Sequence, residues 1–518
     1  MIFSMRRIFL LKLWPIIVIF LLHIPAPAYA QSRPFEISGW IPYWRVATGT
    51  ADALQHLDTF TEINPFGYTV RNDGTLYDAA KLYPEWVATT TPLGTTTIQL
   101  PSEWTPLIEG AHAKKIRLIP TVMWSNGETM HRILSDGPKR RALEDEIAAT
   151  VKENNFDGID IDFEGKKYET REYFSTFLKG LRERLGNKWL VCTIESRTPI
   201  EDRYYGTTAS PDAGLYANDF VAINKYCDRV RIMAYDQQSI DLKLNDQHKG
   251  VLYAPVADVA WVEKVMKLIS KSINKNKLIL GIPTYGYEYD VTAYADGYQY
   301  DLLWSFNPGY ALPIAQQYGV VPASNVAGEI SFSYFPTSLQ PAAPLDGTTT
   351  PIIAHDQAAQ AALLFASTTN SNLKFRLAWW SDAQAIASKV ALAKKLGLRG
   401  VAIFKIDGGE DPDMWNVLPK YEPIQIPAGA SSLTRALRVG STGADVKLLQ
   451  MILNSDPDTQ VAASGPGSPG EESMKFGVLT LRAVEKFQIK YGIAKKGAVG
   501  FGTLGPRTRA KLNELIGR

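Results

Sequence analysis

FDGIDIDFEG, residues 156–165, sets Asp160, Asp162 and Glu164 two residues apart, with Ile159, Ile161 and Phe163 between them. Strict alternation is the period of a β-strand, whose successive side chains point to opposite faces. One face therefore carries three acids and the other is apolar. In a parallel barrel the apolar row packs beneath helices. The acid row then points into the lumen, near the carboxyl end of the strand, where barrel enzymes keep their reactive groups. Each two-residue step covers roughly 6.5–7 Å, so neighbouring carboxylates feel one another. Crowding and partial burial both raise a carboxyl pKa, and Glu164, nearest the mouth, is expected to stay protonated near neutral pH as a general acid. The solvated face of an edge strand is one alternative, and a magnesium site, without phosphate-binding signals, is another. A calcium loop fails, because Arg171 stands where its bidentate Glu belongs.

Further apolar segments of strand length recur on either side. They are FEISGWIPYW (35–44), FTEINPFGYTV (60–70), KIRLIPTVMW (115–124), WLVCTIES (189–196), RVRIMAY (229–235), KLILGIPTYGY (277–287) and GVAIFKI (400–406). Amphipathic runs such as RRALEDEIAATVKEN (140–154) and DAQAIASKVALAKKLG (382–397) lie between most of them. Eight strands separated by helical crossovers predict an α/β fold, a closed (β/α)8 barrel. An open doubly wound sheet is the alternative, but no Gly-rich dinucleotide loop follows the first strand. The stretch from Asp290 to about Lys374 exceeds any crossover and reads as a small α+β insertion between strands seven and eight, with a helical piece at 310–319.

EPIQIPAGASSLT (422–434) reads as a linker, placed at 422–432. Beyond it, 433–518 predicts a three-helix module from GADVKLLQMILNS (443–455), GVLTLRAVEKFQIKYG (477–492) and GPRTRAKLNEL (505–515). This module holds 13 Lys or Arg against 7 Asp or Glu, which suits an anionic polymer. At the other end, residues 1–30 have a basic start (Arg6, Arg7, Lys12), an apolar run and the ending Ala28-Tyr29-Ala30, the layout of a secretory signal peptide. An uncleaved anchor is the alternative. Without those residues the printed 55 basic and 53 acidic groups become 52 and 53, which gives no reason to expect a nucleic-acid partner. Cys192 and Cys227 are expected as two buried thiols, with a single bridge as the alternative. The six histidines lack ligand-like spacing, so neither a metal nor a cofactor is expected.

DGIDIDFE (157–164) resembles the D-G-x-D-x-D-x-E signature of glycoside hydrolase family 18, and the likeness extends over roughly Glu36 to Pro419. RIMAYD (231–236) and GIPTYGY (281–287) resemble that family's sixth and seventh strands. SGWIPYW (38–44), TEINPFGYTVRNDGTL (61–76) and WWSDAQAIASKVALAKKLGLRGVAIF (379–404) are similar to its spore-germination branch, whose members act on peptidoglycan. The 433–518 module resembles the type-1 peptidoglycan-binding domain, apart from an extra polar loop at 455–473.

With the signal-like start, the chain is expected to be a secreted enzyme of the cell envelope, a monomer with no membrane segment after signal cleavage. The resemblance implies that it would cleave β-1,4 bonds beside N-acetylglucosamine in peptidoglycan; chitin, or sugar binding without catalysis, are the alternatives. Glu164 would be the acid. The substrate's own acetamido carbonyl would be the nucleophile, which departs from the two-carboxylate scheme. Asp162 would hold the acetamide nitrogen, Asp160 would share a proton with Asp162, and Tyr235 would bond the acetamide oxygen. Asp236 would bind a sugar hydroxyl beside Met233, and Asp157 would brace the start of the strand. Phe404 stands where the family usually has a Trp flooring the sugar site, with less area and no indole N–H. Trp40 and Tyr43 are further sugar-binding candidates, as are Trp44, Trp124 and Trp379, although core packing is the default for any one aromatic.

Overall fold

Eight strands run parallel and close on themselves. They are β1 (Glu36–Pro42), β2 (Glu62–Val70), β3 (Arg117–Leu118 and Thr121–Trp124), β4 (Gly158–Phe163), β5 (Trp189–Glu195), β6 (Arg229–Met233), β7 (Leu278–Pro283) and β8 (Gly400–Phe404). Each pairs with its neighbours in chain order, and β1 pairs with both β2 and β8, which makes the ring a (β/α)8 barrel. This computed structural model describes residues 35–91, 94–100, 102–336, 354–419, 432–454, 459–462 and 465–515. Residues 1–30, read as a signal peptide, and all of the 422–432 linker except Ser432 lie outside them.

β3 is broken at Ile119-Pro120, because proline cannot donate to a ladder. Both carbonyls at the break are still satisfied: Asn64 Nδ2 donates to that of Ile119 at 2.8 Å and the Asp160 amide to that of Pro120 at 2.9 Å. Helices Gly137–Glu153, Arg171–Leu185, Val259–Ile269 and Ala383–Leu396 are among those around the barrel. Their starts carry the expected signals. Asp136, Asp258 and Asp382 each accept from an amide of the first turn, contacts worth about 1 kcal/mol apiece. Gly397, at φ +69°, ends the last of these helices in the left-handed region.

The apolar row of β4 lies where the alternation places it. Ile159, Ile161 and Phe163 are fully buried, and the Phe163 ring stacks on Phe177 at 5.3 Å and leans on Phe174 at 6.0 Å, both from helix Arg171–Leu185. Cys192 and Cys227 correct the expectation of two thiols, since they form a disulfide with Cα atoms 6.0 Å apart. Cys192 lies in β5 beside outward-facing Leu190 and Ile194, and Cys227 lies just before the adjacent β6. The parallel pairing of β5 with β6 makes them neighbours. Closing a 35-residue separation restricts the unfolded chain by about 4 kcal/mol in a chain-entropy argument.

Between β7 and β8 the chain builds an insertion wider than the 290–374 read from sequence. Its five-stranded antiparallel sheet runs Gly297–Phe306, Gly286–Tyr294, Leu373–Trp380, Ile330–Tyr334, Ala323–Ser324, with helices Pro308–Gln317 and Gln357–Thr369. β7 therefore ends at Pro283, and Trp379 and Trp380 belong to the insertion rather than to the closure of the barrel. Buried Glu329 pins the insertion to the barrel. It accepts from the amides of Val256 (2.9 Å) and Ala257 (3.0 Å), from Trp379 Nε1 (2.8 Å) and from Lys389 Nζ (3.2 Å).

The chain divides into two compact units, and the barrel unit spans Pro34–Gln425. Among the described residues of the second, helices Ala444–Asn454, Val478–Lys490 and Pro506–Leu515 enclose a core that includes Leu437, Val446, Leu449, Phe476, Val484, Phe487, Leu504 and Leu512. Two of these helices repeat one device. Gln450 Nε2 donates to the Lys475 carbonyl (3.0 Å) and Thr480 Oγ1 (2.9 Å), while Gln488 Nε2 donates to the Thr503 carbonyl (2.8 Å) and Thr508 Oγ1 (3.0 Å). In both cases a buried amide ties its helix to the loop and helix that follow.

Candidate active site

The inward row of β4 meets donors from four other strands. Asp160, fully buried, accepts at Oδ2 from Trp40 Nε1 of β1 (3.1 Å), Thr121 Oγ1 of β3 (2.9 Å) and Arg231 of β6 (2.7 Å). Its Oδ1 accepts from Thr193 Oγ1 of β5 at 2.8 Å. The other arm of Arg231 donates to Glu62 of β2. Trp40 is 1% exposed with its N–H engaged, which corrects its reading as a sugar-binding surface. Trp124 and Trp379, 3% and 0% exposed, are core. Asp157 accepts the Leu118 amide at 2.9 Å and so ties β4 to β3.

One step up, Asp162 has no such surroundings. Its Oδ1 is buried with no protein partner, and its other contact is a side-chain hydrogen bond to Glu164. Burial pushes the Asp162 carboxyl well up, and the charges of Glu164 and Asp160 push it further against the pull of Lys166. Glu164 is also raised, by burial and then Glu195, while Lys166 and the Asp162 hydrogen bond oppose this. Both carboxyls of the pair are thus raised, Asp162 more strongly. Asp160 takes its four hydrogen bonds from Trp40, Thr121, Thr193 and Arg231, whereas Asp162 is bonded to Glu164. The Glu164 amide donates to the Trp124 carbonyl at 2.8 Å, which holds the acid at the strand's end.

Tyr235 and Asp236 follow β6. Burial raises the Tyr235 phenol well above its ordinary value, and Asp162 is the largest charge acting on it, so the hydroxyl stays neutral. Gly281 of β7 leaves room for this ring: a Cβ there would lie 3.0 Å from Tyr235 Cε1 and 2.5 Å from the Ile232 carbonyl. Asp236 sits at φ +59°, a strained backbone for a non-glycine residue, and its Oδ1 accepts from Tyr285 and Tyr287, each at 2.5 Å. Met233, half-buried, ends β6 in register with Glu195.

Phe404 is half-buried. It stacks on Tyr235 (5.6 Å, 13° between planes) and meets Trp40, Phe66 and Tyr285 edge-on at 5.9–6.2 Å. Trp44, 49% exposed, packs edge-on against Phe66 at 5.8 Å. Tyr43, 36% exposed, meets Trp44 edge-on at 5.1 Å.

Sequence reading missed Arg231, Thr121, Thr193, Glu195, Lys166, Tyr285 and Tyr287. Glu195 accepts from the Gly165 amide (2.9 Å) and Asn218 Nδ2 (2.6 Å), beside buried Lys166 at 3.5 Å. Burial works to raise the Glu195 carboxyl, but Lys166 and these donors hold it below its ordinary value. The signal for Arg231 and Glu195 was present in the alternation. Arg231 is two residues before Met233, and Glu195 two after Thr193, on inward faces of their strands.

A closed parallel barrel with acids at the carboxyl ends of its strands is the layout of a barrel enzyme. The sequence profile of glycosyl hydrolases family 18 matches residues 111–409, more than half of the chain. The chain belongs to that family and is a glycosidase. It is 23% identical over 297 residues to the uncharacterized glycosylase YvbX of Bacillus subtilis (strain 168), covering 57% of this chain and 70% of that one. It is 24% identical over 287 residues to the cortical fragment-lytic enzyme of the same organism, covering 55% and 54%, so it spans about half the length of that relative. The fold is shared with the spore cortex-lytic enzyme SleL of Bacillus cereus (TM-score 0.51, 18% identity, 75% of this chain and 74% of that one). It is shared equally with a class V chitinase of Pseudomonas fluorescens Pf-5 (TM-score 0.52, 18% identity, 74% and 98%).

Proposed function

We propose that this chain is an exported glycosidase that cuts peptidoglycan at β-1,4 bonds after N-acetylglucosamine, by substrate-assisted hydrolysis with retained configuration. The observation that carries the chemistry is the pair Asp162 and Glu164, adjacent on the inward row with both carboxyls raised by burial, beside the neutral Tyr235 hydroxyl. Glu164 takes the proton of Asp162 and delivers it to the glycosidic oxygen, which leaves Asp162 ionised. The acetamido carbonyl oxygen attacks the anomeric carbon as that bond breaks, and an oxazolinium ion forms. Asp162 accepts the acetamide N–H through the oxygen that has no protein partner, and its negative charge stabilises the ring. Tyr235 donates to the acetamide oxygen and Asp236 receives a sugar hydroxyl. Glu164, now ionised, takes a proton from the water that opens the ring. Phe404 supplies the apolar floor, with Trp44 and Tyr43 as outer stacking surfaces.

Peptidoglycan is preferred over chitin on two grounds: the names of the cortex-lytic relatives, and the basic 433–518 module, which we read as a peptidoglycan-binding domain. Export rests on the signal-like 1–30 and on the disulfide, which fits an oxidising compartment. Digestion of purified peptidoglycan and, separately, of chitin, with mass spectrometry of the new reducing end, tests the reading. Release of N-acetylglucosamine ends from peptidoglycan is expected. Turnover of chitin alone would make the enzyme a chitinase, and turnover of neither a sugar binder.

A further inference from the structure

Arg231 has no part in the scheme above, yet it lies wholly inside the barrel, 0% exposed, between two carboxylates. One arm donates to Glu62 and the other to Asp160 Oδ2 at 2.7 Å, where Trp40 and Thr121 also donate, while Thr193 donates to Oδ1. Four donors from β1, β3, β5 and β6 therefore face one carboxylate. The Trp40 indole N–H and the Arg231 guanidinium can only donate, and both meet Oδ2, so that oxygen is held as an acceptor beside a full positive charge, while the Thr121 and Thr193 hydroxyls follow either way. We propose that Arg231 is a positioning residue for hydrolysis: its charge holds Asp160 as an anion, and so confines the mobile proton of the acid row to Asp162 and Glu164. This rests on the reading that Asp162 and Glu164 perform the chemistry.

The charged and titratable groups around the row come from every side of the lumen. Glu62 projects from β2, Asp160, Asp162 and Glu164 from β4, and Glu195 from the end of β5. Arg231, Tyr235 and Asp236 come from β6 and its following turn, and Lys166 from the turn after β4. Asp160 raises the Asp162 carboxyl, as an anion beside it must. With Arg231 removed, Glu62 and Asp160 would lose their common countercharge while buried. A proton would then enter this level of the lumen, and Asp160 would compete with Glu164 for the proton of Asp162. The pair would no longer be poised with Asp162 donating to Glu164.

The test compares Arg231→Gln, Arg231→Lys and Thr193→Val with wild type. kcat and KM are followed against pH on an N-acetylglucosamine oligomer, and the protonated-carboxyl infrared band of the free enzyme is recorded at pH 7. Loss of a positive charge raises neighbouring carboxyl pKa values, so Arg231→Gln should move the acidic limb to higher pH by about one unit and lower kcat roughly 10–100-fold with KM little changed. It should also gain a protonated-carboxyl band. Arg231→Lys, which keeps the charge, should restore the limb. Thr193→Val removes one donor and no charge, and should shift the limb in the same direction by less. An unmoved limb and band in folded Arg231→Gln, or a shift that lysine does not restore, would overturn the inference. If Arg231→Gln does not fold, an unmoved limb and band in Thr193→Val overturn it. Should the wild type turn over no glycan, the functional reading fails, and the infrared comparison still decides the role of Arg231.

Discussion

The base and the mouth of this barrel are both buried and both acidic, yet they hold charge in opposite ways. At the base, Glu36 receives Arg229 at 2.6 and 2.8 Å and Arg399 at 2.7 Å. Burial alone would raise its carboxyl, but the two guanidiniums hold it far below the ordinary range. At the mouth, Asp162, Glu164 and Glu195 face one buried ammonium, Lys166, and the Asp162 carboxyl rises. Burial is common to both levels, and the supply of countercharge separates them. An acid becomes chemically useful where the fold declines to neutralise it.

Breaking either end has a defined consequence. The largest effect is expected from Glu164→Gln, which should fold with an unchanged melting temperature and lose roughly 10²–10⁴-fold in kcat, measured on a fluorogenic oligomer. Glu36→Gln should do the reverse. Leaving Arg229 and Arg399 without their carboxylate costs about 3–5 kcal/mol of stability by denaturant melts, with activity per folded molecule preserved.

The two levels should also respond oppositely to pH. Glu36 has a lowered folded pKa, so its contribution is present above the ordinary Glu value and is lost as pH falls below it. Asp162 has a raised folded pKa, so its contribution is present below the ordinary Asp value and is lost as pH rises through the folded one. Asp162→Asn should therefore raise the melting temperature relative to wild type by more at pH 8 than at pH 5, while losing much of the activity. A gain that shrinks as pH rises would refute the shift. The smallest effect is expected from Phe404→Trp, which adds ring area and an N–H and should lower KM a few-fold, equivalent to about 0.5–1.5 kcal/mol.

The sequence made the barrel legible because period-two alternation and helical crossovers are local signals. All eight strand segments appear, and Phe163 lies under its helix as the alternation required. What escaped depends on tertiary arrangement. The Cys192–Cys227 bond joins adjacent strands whose separate segments do not show the pairing, while the donors on Asp160 from Trp40 and Arg231 and the approach of Arg231 to Glu62 join strands distant in sequence. Nothing in RVRIMAY says which carboxylate its inward arginine will meet. The insertion was under-measured because GIPTYGY reads as one strand, whereas the chain leaves the barrel after Pro283 and starts a new sheet at Gly286. Trp40 misled for a related reason. An aromatic at a strand's end suits a sugar, and only the closed lumen shows it 1% exposed with its N–H on Asp160.

The most direct measurement is the rate and stereochemistry of cleavage on matched glycans with and without their N-acetyl groups, followed by NMR of the first anomer released. Nucleophilic attack by the substrate's amide predicts a β-anomer from the acetylated glycan and a loss of nearly all turnover on the deacetylated one. Equal rates on both glycans, or initial release of the α-anomer, would contradict it.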